Sequence, residues 1–428
     1  MIFKLSALNE KERQTFKLHL IYAVFEAVLT GVFILNEFIF IKSLSGSNYQ
    51  LSVLFQFSMI VLLVAVFTNE FLTQIKNKKK LLRIVALVTR LPLLLLFFFP
   101  NDPEIIAESH VYHYAFLLVF LFYFSASPII LPTINLFLKK NYRHHNFGRL
   151  YSFVTTFAKI TLLIVTFLFG LLLDYDNFAF RYVYPFVGLL GIASIFIFSK
   201  IDYSLTVVKT RYSIMSIITK TIKSITATVI HNKPYRDYQI SFMFYGFAFM
   251  STVTVITIFY QVVLELNYTS VAFYKNAYNI LAIMLLPLFG KLIGKVDPRY
   301  FAIISFSSLM FYIGCVLLTA YFPQSRTFLD IQIYYMLLLG VFFHAFFAAT
   351  MSLLWSIGSA YFCKDEEAGL YQSVHLSLTG ARAIFVPLLG IWLYESFGFT
   401  VTFICAIVSL LLGIMVLYIS KKRNLKTA

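Results

Sequence analysis

The sequence predicts an all-α polytopic membrane protein whose twelve transmembrane helices form two pseudo-symmetric halves of six. Three observations predict it. Of its 428 residues 60% are hydrophobic and 13% charged, and a soluble domain of that composition would have no polar surface to present to water. Twenty-eight of the 35 Lys and Arg residues fall in seven short segments that occupy every second gap between long apolar runs. Cytoplasmic loops retain basic residues and translocated loops do not, so the alternation implies twelve crossings with both ends inside. Finally, a constant offset of 220 residues maps Leu150, Tyr151 and Val154 onto Leu370, Tyr371 and Val374, and Gly170 onto Gly390. The same offset carries span 1 onto span 7 and span 4 onto span 10.

The elements follow in order. Residues 1–16 read as a cytoplasmic leader, because MIFKLSALNEKERQTFK has no apolar core ahead of its charges. A hydrocarbon core of ~30 Å takes about 20 residues of helix. That places spans at 17–42, 50–74, 80–99, 111–139, 149–174 and 180–200 in the first half (17–200). The second half (236–420) has spans at 236–264, 269–294, 299–321, 331–361, 373–396 and 399–420. Inner gaps carry Lys76, Lys78, Lys79, Lys80 and Arg83, then Lys139, Lys140, Arg143 and Arg149, while outer gaps carry Asp102, Glu104, Glu108, Asp174, Asp176 and Asp330. The one long connection, 201–235, sets Lys209, Arg211, Lys220 and Lys223 among Ile and Val. It is expected to form an amphipathic helix on the inner membrane face. Residues 421–428 make a cytoplasmic tail.

The net charge of +16 is spread over loops with no soluble domain to hold it, which points to anionic inner-leaflet lipids and away from nucleic acid. Cys315, Cys363 and Cys405 have neither disulfide nor metal-ligand spacing. No metal, cofactor or catalytic residue is expected. Parallel halves of six helices are an architecture in which a central cavity alternates between the two sides of the membrane.

With its 6+6 repeat, its basic central loop and the loop Gly290-Lys-Leu-Ile-Gly294-Lys-Val-Asp297-Pro-Arg299, the chain resembles the major facilitator superfamily of secondary transporters over nearly its whole length. The loop is similar to the family's Gly-x-x-x-Asp-Arg-x-Gly-Arg signature, with Gly294 where Asp is usual. In the first-half copy Glu70 stands where the family has Gly, and Gln74 where it has Asp. The resemblance implies a conformational role for Gly290, Gly294, Asp297 and Arg299, whose family counterparts latch the halves in one state. Span 11, with Thr379-Gly380-Ala381-Arg382, Pro387 and Gly390, is similar to a segment common in the family. The Gly-Pro-Gly signature of proton–drug antiporters is absent from span 5, which ranks that activity below others.

Ionisable residues inside a membrane are costly and usually line the interior. Five lie deep in the spans: Glu26, Arg90, Lys159, Lys275 and Arg382. Glu26 and Lys159 each sit about nine residues from the inner edge, ~13 Å at ~1.5 Å per residue, and equal depth makes them candidate partners. On span 11, Gln372, His375, Thr379 and Arg382 form one stripe at i, i+3, i+7 and i+10. Ser152, Thr155 and Lys159 repeat it on span 5, and the 220 offset superimposes them on Gln372, His375 and Thr379. Two such faces are what halves sharing an aqueous path would need. Lys275, Asn276 and Asn279 on span 8 and His344 on span 10 complete a polar set of net positive sign.

Each has a structural reading too. Glu26 and Lys159 would serve as an ion pair between helices, Arg382 as an interface clamp, and His344 as a satisfied interior histidine. Arg90 reads as structural, since span 3 is peripheral in the resembled fold and Pro92 opens a carbonyl for it. Lys275 is near enough to the outer face to snorkel.

The functional expectation is secondary active transport of a small organic anion by alternating access. Arg382 and Lys159 would contact its carboxylate or phosphate, and protonation of Glu26 would release Lys159 for substrate. The partners expected are a small-molecule substrate, protons and the lipid bilayer, for a monomer in a bacterial inner membrane. Two alternatives stand beside it. A membrane-embedded transferase would use His344 or His375 as base, but no His-Glu-x-x-His, serine elbow or phosphate loop is present. A transporter-like sensor would bind its ligand without flux.

Overall fold

The computed structural model describes residues 8–75, 77–203, 226–228, 230–293, 295–363 and 367–425. Helix α1 (Glu10–Phe33) starts where the Asn9 side chain accepts a hydrogen bond from the Glu12 N–H at 2.7 Å, satisfying one of the open donors of a helix N-terminus. It continues after a two-residue break as α2 (Asn36–Lys42), the two making one crossing. Then come α3 (Asn48–Gln74) and α4 (Lys78–Arg90). At Leu91-Pro92 the backbone tightens into a 3₁₀ helix, Leu91–Phe98, because proline has no N–H to continue the α ladder. Short α5 (Pro103–Glu108) precedes α6 (His110–Ser125) and α7 (Ser127–Asn141), which share one crossing broken ahead of Pro128. Helices α8 (His144–Tyr175) and α9 (Phe180–Phe198) close the first half.

The second half comprises α10 (Lys233–Val262), α11 (Tyr268–Ile293), α12 (Pro298–Tyr321), α13 (Tyr335–Ile357), α14 (Ala368–Ala383) and α15 (Val386–Leu425). Span 10 starts at Tyr335, later than expected, because an antiparallel hairpin takes the residues before it: β1 (Ser325–Phe328) pairs with β2 (Ile331–Tyr334). Leu329 and Asp330 make its turn with φ of 47° and 61°.

Among the described residues ten stretches are long and apolar enough to cross a membrane. One of them, Leu370–Arg423, is 54 residues long, more than twice one crossing. Gly398, at φ 80° and ψ 178°, divides it. With the 27-residue α3 the crossings among the described residues number twelve. Most of the 201–235 linker and Gly294 lie outside the described residues.

The 220-residue repeat extends to backbone detail. Helices α3 and α11 begin at 48 and 268, and α4 and α12 at 78 and 298. After span 1 the Leu44 N–H reaches back to the Ile39 carbonyl and Gly46 N–H to Phe40. After span 7 Leu264 reaches Phe259 and Leu266 reaches Tyr260. Both turns pass through one left-handed residue, Ser45 at φ 51° and Glu265 at φ 48°. These bonds satisfy carbonyls that a helix C-terminus leaves open.

Residues 1–46 with 67–212 form one compact unit, and 47–66 with 213–428 another. The N-terminal part of α3 thus belongs with the second unit. There Gln56 Nε2 donates to the Ile384 carbonyl at 2.8 Å, and Phe55 is buried with Met250, Ala383 and Val386. In the first unit α1 packs on α8 and α9, and α4 on α9, around a core that includes Phe16, Tyr22, Leu82, Phe137 and Phe198. Lipid gives apolar side chains little reason to prefer protein, so close approach and interhelical hydrogen bonds must hold such helices. Thr166 Oγ1 accordingly donates to the Gly31 carbonyl at 2.9 Å, and a Cβ on Gly31 would stand 2.9 Å from the Leu162 carbonyl.

Candidate functional site

In the first unit the deep acid is held by three helices. Arg90, the last residue of α4, donates from Nη2 to both Glu26 oxygens, at 2.9 and 3.0 Å. Ser194 Oγ on α9 donates to Glu26 Oε1 at 2.5 Å. The Arg90 side chain is 3% exposed and that of Glu26 16%. Room for the guanidinium comes from Gly191 on α9, where a Cβ would stand 2.7 Å from Arg90 Nε.

This corrects the expected pairing, for Glu26 takes Arg90 and not Lys159. Equal depth is a poor guide when a helix breaks. The turn at Leu91-Pro92 leaves Arg90 at the end of α4 facing α1 and α9, so Arg90 is an interior residue of the unit. Lys159 is exposed on α8, and among the described residues no carboxylate oxygen lies within 4.0 Å of it. Thr155, one turn earlier, is half-buried.

The second unit holds a deep cation. Arg382 on α14 is 2% exposed, donates from Nη1 to the Phe242 carbonyl of α10, and from Nη2 to Thr379 Oγ1 at 3.3 Å. Its guanidinium carbon lies 5.8 Å from the Tyr245 ring centroid, within reach of a cation–π attraction. A Cβ on Gly246 would overlap the guanidinium, so the glycine makes its space. Among the described residues no carboxylate oxygen lies within 4.0 Å, and Nε finds no hydrogen-bond partner.

Two turns earlier His375 Nδ1 is 3.1 Å from Gln239 Oε1. An amide oxygen only accepts, so Nδ1 carries the proton. His375 Nε2 and Gln239 Nε2 are buried without partners among the described residues. Gln372 donates to the Trp355 carbonyl at 2.8 Å. The span 11 stripe is therefore sunk between α10 and α13, whereas Ser152 and Lys159 on the span 5 stripe are exposed. The two stripes match in sequence and differ in environment.

The remaining predicted residues form two further groups. In the second unit His344 is half-buried between the rings of Tyr278 and Tyr312, at centroid distances of 4.0 and 4.2 Å. Asn279 Nδ2 donates to the carbonyl of half-buried Lys275 at 2.7 Å. Asp297 caps α12, accepting from the Arg299 N–H at 2.8 Å, and pairs with the Arg299 guanidinium at 2.9 Å. Burial pushes the Asp297 carboxyl up, but the Arg299 hydrogen bonds and charge outweigh it and hold the group below the usual carboxylate range. Arg299 Nη1 also reaches Ser420 Oγ at 3.4 Å, tying α12 to α15. Gly290 is exposed, and a Cβ there would touch nothing within 4 Å.

Sequence reasoning missed Ser194, Gly191, Gln239, Tyr245 and Gly246. A lone serine or glycine in an apolar span carries no pattern. Gly246 did have a signal, since the 220 offset sets it opposite Glu26. The acid of one half is a glycine in the other, and the vacated volume holds Arg382.

No curated protein matches the chain in sequence. Solved structures do match its fold. The nucleoside transporter NupG, crystallised as a point mutant, aligns with a TM-score of 0.66 at 11% identity over 95% of this chain and 99% of its own. A bacterial homologue of the iron transporter ferroportin in an inward-facing state aligns with a TM-score of 0.67 at 11% identity, over 96% and 98%. The xylose transporter XylE from E. coli, inward open, aligns at 0.60 and 14% identity, over 94% of each chain. The sequence profile of the Major Facilitator Superfamily matches residues 18–331, most of the chain, and the protein is a member of that superfamily of membrane transporters.

Proposed function

We propose that the chain is a secondary active transporter that moves a small organic anion by alternating access, with a proton carried at Glu26. The setting we assign is a bacterial inner membrane with both termini on the cytoplasmic side, as the basic inner loops require. The similar structures are named for nucleoside, xylose and iron transport, so one fold serves unlike substrates and the class must be argued from the site.

The observation that carries the anion is Arg382. A charge taken out of water is expensive unless an opposite charge accompanies it. The described residues supply none, and a substrate carboxylate or phosphate would. Glu26 is the coupling group because protonating it removes the charge that answers the buried Arg90 guanidinium, a change that biases a conformational equilibrium.

Uptake by proteoliposomes tests this. Anionic solutes should be accumulated and should stabilise the purified protein in a thermal-shift screen, while stabilisation by cations alone sinks the anion reading. Binding without flux would make the chain a sensor. Glu26→Gln should abolish proton-driven accumulation and leave exchange down a gradient intact, and accumulation that survives it removes the coupling role.

A further inference from the structure

Beside Arg382 lies a groove the anion reading does not use. It has a volume of about 600 Å³ and runs between α10 and the second part of α15, within the ~300–1,000 Å³ of small-molecule sites. Ile240, Met243, Phe244 and Phe247 form one α10 face at i, i+3, i+4 and i+7, with Val408 and Leu412 of α15 opposite. Its one lining hydroxyl is already spent, since Ser409 Oγ donates to the Phe244 carbonyl at 2.8 Å. Residues 240–247 occupy the middle of the 30-residue α10, so the groove lies at hydrocarbon depth.

Met243 joins the groove to the cation. It lines the groove, and its sulfur is 4.0 Å from Arg382 Nη1. On the α10 helical wheel Met243 falls between the groove face and the Phe242–Gly246 side against which the guanidinium rests. A thioether is unbranched and adapts its shape readily, so turning Met243 aside would open one continuous site, apolar along its length and cationic at one end.

Resting on the anion reading of Arg382, we infer that the transported anion is amphiphilic: a single apolar chain lies in the α10–α15 groove while its anionic head meets Arg382. The head supplies the counter-charge that the described residues lack. The apolar chain would take the place of bilayer lipid along this surface, which a small polar anion could not do.

Straight-chain alkanesulfonates test this, because they stay ionised and differ only in chain length. Counterflow of ethanesulfonate and decanesulfonate is measured in proteoliposomes holding the full-length chain. Decanesulfonate should show a KM at least tenfold lower, and Val408→Trp, which fills the groove, should reduce that preference at least tenfold. Ile240→Phe from the facing helix should do the same, which guards against one variant failing to fold. If both variants keep the parent's preference, the chain does not bind in the groove and bilayer lipid alone fills it. If ethanesulfonate moves as readily as decanesulfonate in the parent, the amphiphile inference falls and the anion reading stands. If neither moves and neither stabilises the protein, both fall.

Discussion

Glu26 and Gly246 occupy corresponding places in the two halves, and the contrast between them explains the polar interior. Where the first unit has an acid, it recruits Arg90 and Ser194 and closes into a neutral, hydrogen-bonded knot. Where the second unit has a glycine, a guanidinium from another helix fills the gap and no acid among the described residues answers it. The 220-residue repeat thus carries one cation answered by an acid and one that no acid among the described residues answers.

The sharpest way to break this comparison is to remove the acid. Glu26→Ala strands Arg90, whose Nε and Nη1 already lack partners among the described residues, and should cost about 3–5 kcal/mol of stability in denaturant unfolding in micelles. The double variant Glu26→Ala with Arg90→Met should recover most of it. A loss as small as that of an average surface change would mean the pair is solvated after all.

Next is Gly246→Ala. The added methyl overlaps the Arg382 guanidinium, and overpacking of this kind costs about 1–3 kcal/mol. Anion affinity should weaken with it, as measured by ligand-induced thermal shift. Unchanged affinity would show that Arg382 is not held by this glycine.

A smaller effect belongs to another matched pair, the caps Asn77 and Asp297, which open α4 and α12. Asp297→Asn gives the second unit the cap type of the first and removes the ion pair with Arg299, at a cost of about 1 kcal/mol. The folded carboxyl of Asp297 is held below its ordinary value. Its stabilisation is therefore complete above the unfolded pKa of ~3.9 and is lost as pH falls through the lower folded value. The parent and variant should differ in thermal midpoint at about pH 6 and converge as the pH falls through the lower folded value.

Smallest in stability is Arg382→Met. No carboxylate is stranded among the described residues, so unfolding should shift by less than about 1 kcal/mol or even favour the variant. Anion uptake should nevertheless be lost. A large loss of stability would make Arg382 the clamp between helices that is its structural reading.

Much of this was legible in the chain alone. Loop charges and hydropathy placed the crossings, and the 220 offset that aligned Leu150 with Leu370 reappears in the turns at Ser45 and Glu265. The stripe Gln372, His375, Thr379 and Arg382 does share one face of α14, since helical periodicity is a local property. Partner choice was not legible. Equal depth pointed to Lys159 as the partner of Glu26 and a peripheral span set Arg90 aside, whereas the break at Leu91-Pro92 and the small residue Gly191 bring Arg90 to Glu26.

The sequence by itself determined the solvent, the number of crossings and the internal repeat, because these depend on composition and on periods along one chain. Tertiary structure decided that Glu26 is answered and that Arg382, among the described residues, is not. Ion pairs depend on angstrom-scale approach between helices, and that approach is set by glycines and helix breaks whose effect appears only when the helices pack.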